Sequence, residues 1–146
     1  MATSNLKEFN AGLDQFAKKD VEGFASMAVR RVAFAVDRAI VMGTPVGNPS
    51  LWKRKAPKGY VGGRARANWI PTLGTPYTGT VDRIDKQGAA TIALLVPVTA
   101  DFKLGDTIWI SNNLPYIIPL NESHSTQAPI GYVEIAVQEG RRAAFR

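Results

Sequence analysis

The sequence predicts an α+β fold: long N-terminal helices and a C-terminal helix packed on a small, mainly antiparallel sheet, with a long basic loop. Three observations carry that reading. Apolar residues recur at helical spacing through the first third of the chain, "DTIWISNN" alternates apolar and polar residues with the period of a strand, and a Gly- and Pro-containing stretch rich in Lys and Arg separates the two.

In chain order, "SNLKEFNAGLDQFAKKD" sets Leu6, Phe9, Leu13 and Phe16 at helical spacing, and Asn5 with Glu8 has the form of a capping box. Gly12 weakens this helix, Lys18-Lys19 close it, and Asp20 is placed to cap a second one. In "VEGFASMAVRRVAFAVDRAIVM", Val21, Phe24, Ala28, Val32, Ala35 and Ala39 form one stripe that Val29, Val36 and Ile40 widen, so this helix is expected to carry the core. Gly43 and Pro45 mark its end.

A loop over about residues 47–63 follows, where Pro57, Gly59, Gly62 and Gly63 forbid regular structure, and "RARANWIPTLG" then reads as a strand. Residues 88–100 fit either a buried strand or a helix kinked at Pro97, and periodicity leaves both open. Ile108 and Ile110 share one face of a strand, with Thr107, Trp109 and Ser111 on the other. "LPYIIPL" reads as extended because of its two prolines, and Pro129 as the start of a last helix with Ile130, Val133 and Val137 on one side. Trp69 and Trp109 are expected on strands packed against the helix of Phe24, Val32 and Val36. The length of 146 residues suits one domain, 1–146.

The charge is local. The chain has 18 Lys and Arg against 12 Asp and Glu. Lys53, Arg54, Lys55, Lys58, Arg64 and Arg66 all fall within residues 52–69, where no acid occurs, which accounts for the net charge of +6. Such a directed field implies a negative partner. Trp52, Tyr60 and Trp69 interleave with these cations, supplying flat faces that suit sequence-independent nucleic-acid binding. Like charges and glycines also suggest a segment, from about Ser50 to Gly63, that projects or is disordered in the isolated subunit.

Enzymatic chemistry finds little to stand on. Without cysteine, and with one histidine, the chain has neither thiolate zinc ligands nor a His pair, so no metal or cofactor is expected. His124, near Glu122 and Ser125, sits in a turn where sequence neighbours seldom align as a triad. Asp82 with Asp85, and Asp101 with Asp106, read as turn caps. "GYVGGR" lacks the frame of a phosphate cradle. No apolar run is long enough for a transmembrane helix and the N-terminus has no signal-peptide pattern, so a cytoplasmic site of synthesis and no membrane partner are expected.

Taken together, "VMGTPVG", "GRARANW" and "GDTIWISNNLPYIIPLNESHSTQAPIGYVEIAV" resemble the small neck or tail-completion proteins of tailed bacteriophages, the minor-tail-component family. The likeness spans about residues 20–140. It rests on Thr44, Pro45 and Val46, on Gly63, Arg64, Arg66, Asn68 and Trp69, and on Asn112, Asn113, Tyr116, Glu122, Gln127, Ala128 and Pro129. Gly62 replaces a frequent Thr, the basic insertion is longer, and His124 beside Ser123 departs from the family's turn. The resemblance implies an α+β fold without enzymatic activity and a virion location in the neck. There a ring, hexamer or dodecamer, joins the portal and connector of the head to tail-tube or other neck proteins. It implies that the basic loops form a collar facing packaged DNA or an acidic neighbouring ring, and that the Asn, Gln and Pro motif residues are fold signatures. The alternative is a sequence-independent nucleic-acid-binding protein using the basic aromatic loop.

Overall fold

The computed structural model describes residues 2–122 and 126–145, with side chains from residue 5 onward. It is an α+β fold. Helix α1 (Ala2–Gln15) passes through a π turn (Phe16–Val21) directly into α2 (Glu22–Gly43). At a rise of 1.5 Å per residue this continuous helix is roughly 60 Å long. The expected break at Lys18-Lys19 is absent, and Asn5, Glu8 and Asp20 are interior residues rather than caps. The Glu22 amide donates to the Ala17 carbonyl five residues back, so the chain widens by one residue instead of ending.

Beyond α2 come a 3-10 turn (Pro49–Leu51), the single helical turn α3 (Arg64–Ala67), strand β1 (Ile70–Leu73), α4 (Ala89–Ala93), α5 (Leu95–Asp101), strand β2 (Ile108–Ser111), α6 (Ile117–Asn121) and α7 (Tyr132–Ala144). Strands β1 and β2 form an antiparallel pair in which Ile70 faces Ser111 and Leu73 faces Ile108. The "RARANWIPTLG" run therefore begins as helix and becomes strand only after Trp69. Residues 88–100 resolve as helix, with Pro97 in the first turn of α5, where its missing N–H leaves no bond unmade. "LPYIIPL" is not extended: Pro119 lies within α6, a short helix whose first amides need no partner at that position.

The core lies between α2, α7 and the segment from α3 to Trp69. Its buried members are Ile40, Val41, Ala65, Trp69, Leu114, Ile117, Tyr132 and Ala136. On α2 the fully covered positions are Ala33, Asp37, Ile40 and Val41, while Phe24 is 69 % exposed and belongs to no core. On α7 they are Tyr132, Ala136 and Gly140, so the stripe of Ile130, Val133 and Val137 is out of phase: only Val133 packs against the core. The reason is the helix start. Gly131, at φ 70°, turns the chain, and α7 begins at Tyr132 rather than at Pro129. Gly140 then sits so close to Val36 that a Cβ would overlap its side chain, which lets α2 and α7 approach closely.

Trp69 is 6 % exposed, whereas Trp109, on β2, is 41 % exposed with its indole N–H donating to the Gly74 carbonyl at 2.9 Å. Only the first of the two is a core tryptophan. Trp69→Ala is expected to lower stability by about 3–5 kcal/mol, and Trp109→Ala by about 1 kcal/mol or less, measured by denaturant unfolding of the two variants.

Asp37 is fully buried, and neither carboxylate oxygen has a hydrogen-bond partner among the described residues. Burial raises its carboxyl from the ordinary 3.8 to about 7. The folded state thus holds a proton that the unfolded chain releases. Its contribution is complete below pH ~4 and is lost as pH rises through ~7, up to roughly 4 kcal/mol in all. The melting temperature is expected to fall between pH ~5 and ~8, and Asp37→Asn, which mimics the protonated form, should flatten that fall.

Candidate functional site, a basic loop over an aromatic pocket

Residues 47–62 leave the end of α2 and return to it, which makes them an Ω-loop: a compact excursion whose two ends touch. The Gly63 amide donates to the Val46 carbonyl at 2.6 Å, closing the neck. Gly62 is buried against the Val46 and Gly47 carbonyls, with no room for a Cβ, and Gly63, at φ 101°, turns the chain into α3. Asn48 starts the loop by accepting the Ser50 amide at 3.0 Å and its hydroxyl at 2.7 Å. Gln127 holds Asn48 from outside, accepting its amide at 2.6 Å and donating to its carbonyl at 3.4 Å. Further out, Trp52 and Tyr60 lean on each other with ring centroids 4.7 Å apart and planes tilted by 57°.

Beneath these rings lies a cavity of about 440 Å³ lined by Trp52, Tyr60, Arg64, Ile84, Tyr116 and Leu120, among others. Partial burial raises both tyrosine hydroxyls; Tyr116 adds to the effect on Tyr60, while the Arg64 guanidinium opposes it at Tyr116. Arg64 lines this cavity, and Lys53, Arg54, Lys55 and Lys58 are exposed on the same loop as Trp52 and Tyr60. None is within salt-bridge distance of a carboxylate, for the ion pair found among the described residues is Arg142 with Glu139, at 2.6 Å. The result is a mainly apolar, aromatic cavity with Asp82 and Arg64 in its wall, beside a loop whose exposed cations form a positive rim. The loop is exposed over residues 48–55 and 57–61 and is pinned at its root.

Arg66 stands apart from these cations. Its Nε and Nη2 donate to the Thr44 carbonyl at 3.1 and 2.8 Å, Nη2 also to Met42 at 3.1 Å, and Nη1 to Lys86 at 2.6 Å. A guanidinium on the last carbonyls of α2 satisfies groups the helix leaves open and complements its dipole. Arg66 is therefore a cap, not a member of the rim.

The remaining motif residues are staples. The Thr44 hydroxyl donates to Ile40 at 2.7 Å and accepts the Trp69 indole N–H at 2.7 Å, while Pro45 is buried beside it. Asn68 donates to Arg64 and Val81 carbonyls at 2.9 and 3.0 Å and accepts the Val81 amide at 2.8 Å. Asn112 donates to the Ala65 carbonyl at 2.9 Å, and Asn113 to Tyr77 and Gly79 at 2.8 and 3.0 Å. Ala128 packs against the core, and Pro129 is exposed in the turn before α7. Glu122 is exposed; Ser123, His124 and Ser125 lie outside the described residues.

Asp85 and Asp106 cap turns. Asp85 accepts from the Gly88 amide at 2.7 Å and from both the amide and hydroxyl of Thr91 at 2.8 Å; burial would raise its carboxyl, but these bonds hold it below the usual range. Asp106 accepts the Lys103 amide at 2.8 Å. The wall residues Ile84 and Leu120 carry no signal in the sequence, since each is one apolar residue in an irregular or short segment. Among the described residues no group of His, Asp and Glu could hold a metal ion, and no helix is long and apolar enough to cross a membrane.

No family model, curated protein or solved structure matches the chain.

Thr44→Val keeps the shape but leaves the buried indole N–H of Trp69 without an acceptor, so it is expected to lower unfolding free energy by about 1–3 kcal/mol. Replacing Lys53 and Arg54 by Ser should leave the melting temperature unchanged. Thermal unfolding of both variants beside the parent checks the division between scaffold and rim.

Proposed function

We propose that this chain is a structural virion protein of the neck of a tailed bacteriophage, forming a ring that joins the portal and connector of the head to the tail, in a tail-completion or tail-terminator role. The observation that carries the reading is the pinned Ω-loop. A scaffold of buried staples holds one exposed segment whose cations pair with no carboxylate among the described residues, which is the arrangement expected of a surface that meets a polyanion or an acidic protein during assembly. The resemblance of the Thr44-Pro45-Val46, Gly63 to Trp69 and Asn112 to Pro129 elements to the neck family supports the same reading. In it these residues maintain the fold, and the loop is the working part.

Repetition around a ring changes what the loop can do. One loop neutralises a few phosphates, which at physiological salt gives dissociation constants of about 10⁻⁴–10⁻⁶ M. In a ring each further contact is intramolecular, so the charge acts as a collar. No enzymatic role is proposed.

The Trp52–Tyr60 pair favours a second reading, a free nucleic-acid-binding protein that stacks bases on these rings. One set of variants separates the two. Lys53, Arg54, Lys55 and Lys58 are replaced together by Ser, and duplex binding by the purified protein is measured alongside the yield of filled, tailed particles when the variant complements a phage lacking the gene. The neck reading expects weak, salt-dependent binding without sequence preference and a loss of infectious particles. Tight nucleic-acid binding without sequence preference by the parent at physiological salt would favour the alternative, nanomolar binding of one DNA sequence would replace both readings with a sequence-reading protein, and full infectivity of the variant would remove the loop from assembly.

A further inference from the structure

Residues 2–24 are helical and stand out from the core. From Asn5 to Phe24 every residue is exposed. A free helix containing Gly12, Gly23, Asn5 and Asn10 is marginal in water, because the nucleation penalty and weak propensities are offset only by packing. Yet Leu6, Phe9, Leu13, Phe16, Val21, Phe24 and Met27 are each at least half exposed. Together they carry on the order of 700 Å² of apolar surface. That exceeds what monomers usually leave open, the mark of an interaction surface, and the Leu6 to Phe16 part of it amounts to roughly 400 Å².

The π turn keeps this surface in one line. Leu6, Phe9, Leu13 and Phe16 alternate steps of three and four, the seam of a helix pair. The next apolar residue, Val21, is five positions on. In an unbroken α-helix five positions would put it about 140° away from Phe16. The five-residue hydrogen bond from Glu22 to Ala17 closes one wide turn at this place instead, bringing Val21 back beneath Phe16. Phe24 and Met27 then extend the stripe into a shallow cavity of about 450 Å³ that they share with Ala28, Arg31, Ala144 and the exposed ring of Phe145.

We infer that the Leu6 to Phe16 part of this stripe is a docking surface for a second copy of the chain, paired antiparallel about a two-fold axis near Ala11 and Gly12. The spacing is self-complementary. With that axis, Leu6 meets Phe16 of the second copy and Phe9 meets its Leu13, and symmetry repeats both layers, so each layer sets a large ring against a smaller side chain. Small residues at the axis let the backbones approach. Charge points the same way: residues 2–24 hold Lys7, Lys18 and Lys19 against Glu8, Asp14, Asp20 and Glu22, nearly neutral, so two copies meet here without the repulsion the basic loop would impose. Seam-flanking positions such as Asn10, Gly12 and Ala17 carry no charge that would select a partner of opposite sign. This contact stands on the helix alone and does not depend on the neck reading.

The test uses the full chain. Analytical ultracentrifugation at micromolar concentrations should find the parent as a dimer or larger, and Phe9→Glu with Leu13→Glu as a species of half that size or less with reduced helical circular dichroism. The tryptophan near-ultraviolet signal of the core should be unchanged, since neither residue touches it. Because the chain has no cysteine, disulfide trapping reads the register: Leu6→Cys with Phe16→Cys in one chain should cross-link between copies on oxidation, and Leu6→Cys alone should not. A monomeric parent, or a double-Glu variant of unchanged size, overturns the proposal. The latter result would leave a ring held by other surfaces intact, so the neck reading would stand or fall on particle yield. Efficient cross-linking of Leu6→Cys alone overturns the antiparallel register.

Discussion

One hydrogen bond organises the described structure: the Trp69 indole N–H on the Thr44 hydroxyl. Both groups are buried, and a buried donor without an acceptor is costly, so the end of α2 and the start of β1 are held in one relative position. The same threonine returns its proton to Ile40, and its carbonyl receives Arg66. The helix end, the α3 turn and the tryptophan are thereby locked as a unit. Everything peripheral leaves from that unit, including both roots of the Ω-loop at Val46 and Gly63 and, through Asn112 on Ala65, the segment after β2.

This arrangement separates rigidity from charge. The buried polar residues Thr44, Asn68, Asp85 and Thr99 act by binding backbone, which is how irregular segments satisfy their amides when sheet and helix do not. The loop's exposed cations pair with no carboxylate among the described residues. A loop that fluctuated freely would lose ordering entropy at each encounter, whereas one pinned at Val46, Asn48 and Gly63 presents its charges in a fixed frame. Asp37 is the exception inside the core, a carboxyl without a hydrogen-bond partner among the described residues that burial pushes up to about 7.

The long helix gives the molecule a second surface of opposite character. Its outer part is apolar and nearly neutral where the loop is polar and positive, and the two belong to different parts of the fold. A π turn between them is more than a local irregularity, because one inserted residue keeps the phase of the apolar stripe across two stretches of ordinary α-helix. The proposed neck ring and the proposed helix pairing would each cover one of these two surfaces.

The α+β class, the helical N-terminal third, the strand at Ile108 to Ser111, the basic loop and the turn-capping role of Asp85 and Asp106 were legible in the sequence alone. They follow from local periodicity, from Gly and Pro, and from side chains that bond their own neighbours. What the sequence left open or misread depended on distant partners. Residues 88–100 have composition suited to either state, and burial of Thr91 and Leu95 as helix decided it. Phe24 and Ile130 look like core residues by spacing but face outward, because hydrophobic period marks a stripe without saying which neighbour covers it. Arg66 is chemically identical to the other arginines of its stretch, and only the arrival of the α2 terminus beside it made it a cap. The cavity under Trp52 and Tyr60 likewise exists because Tyr116 and Leu120, more than fifty residues further on, are folded beneath the loop, a proximity that only tertiary packing creates.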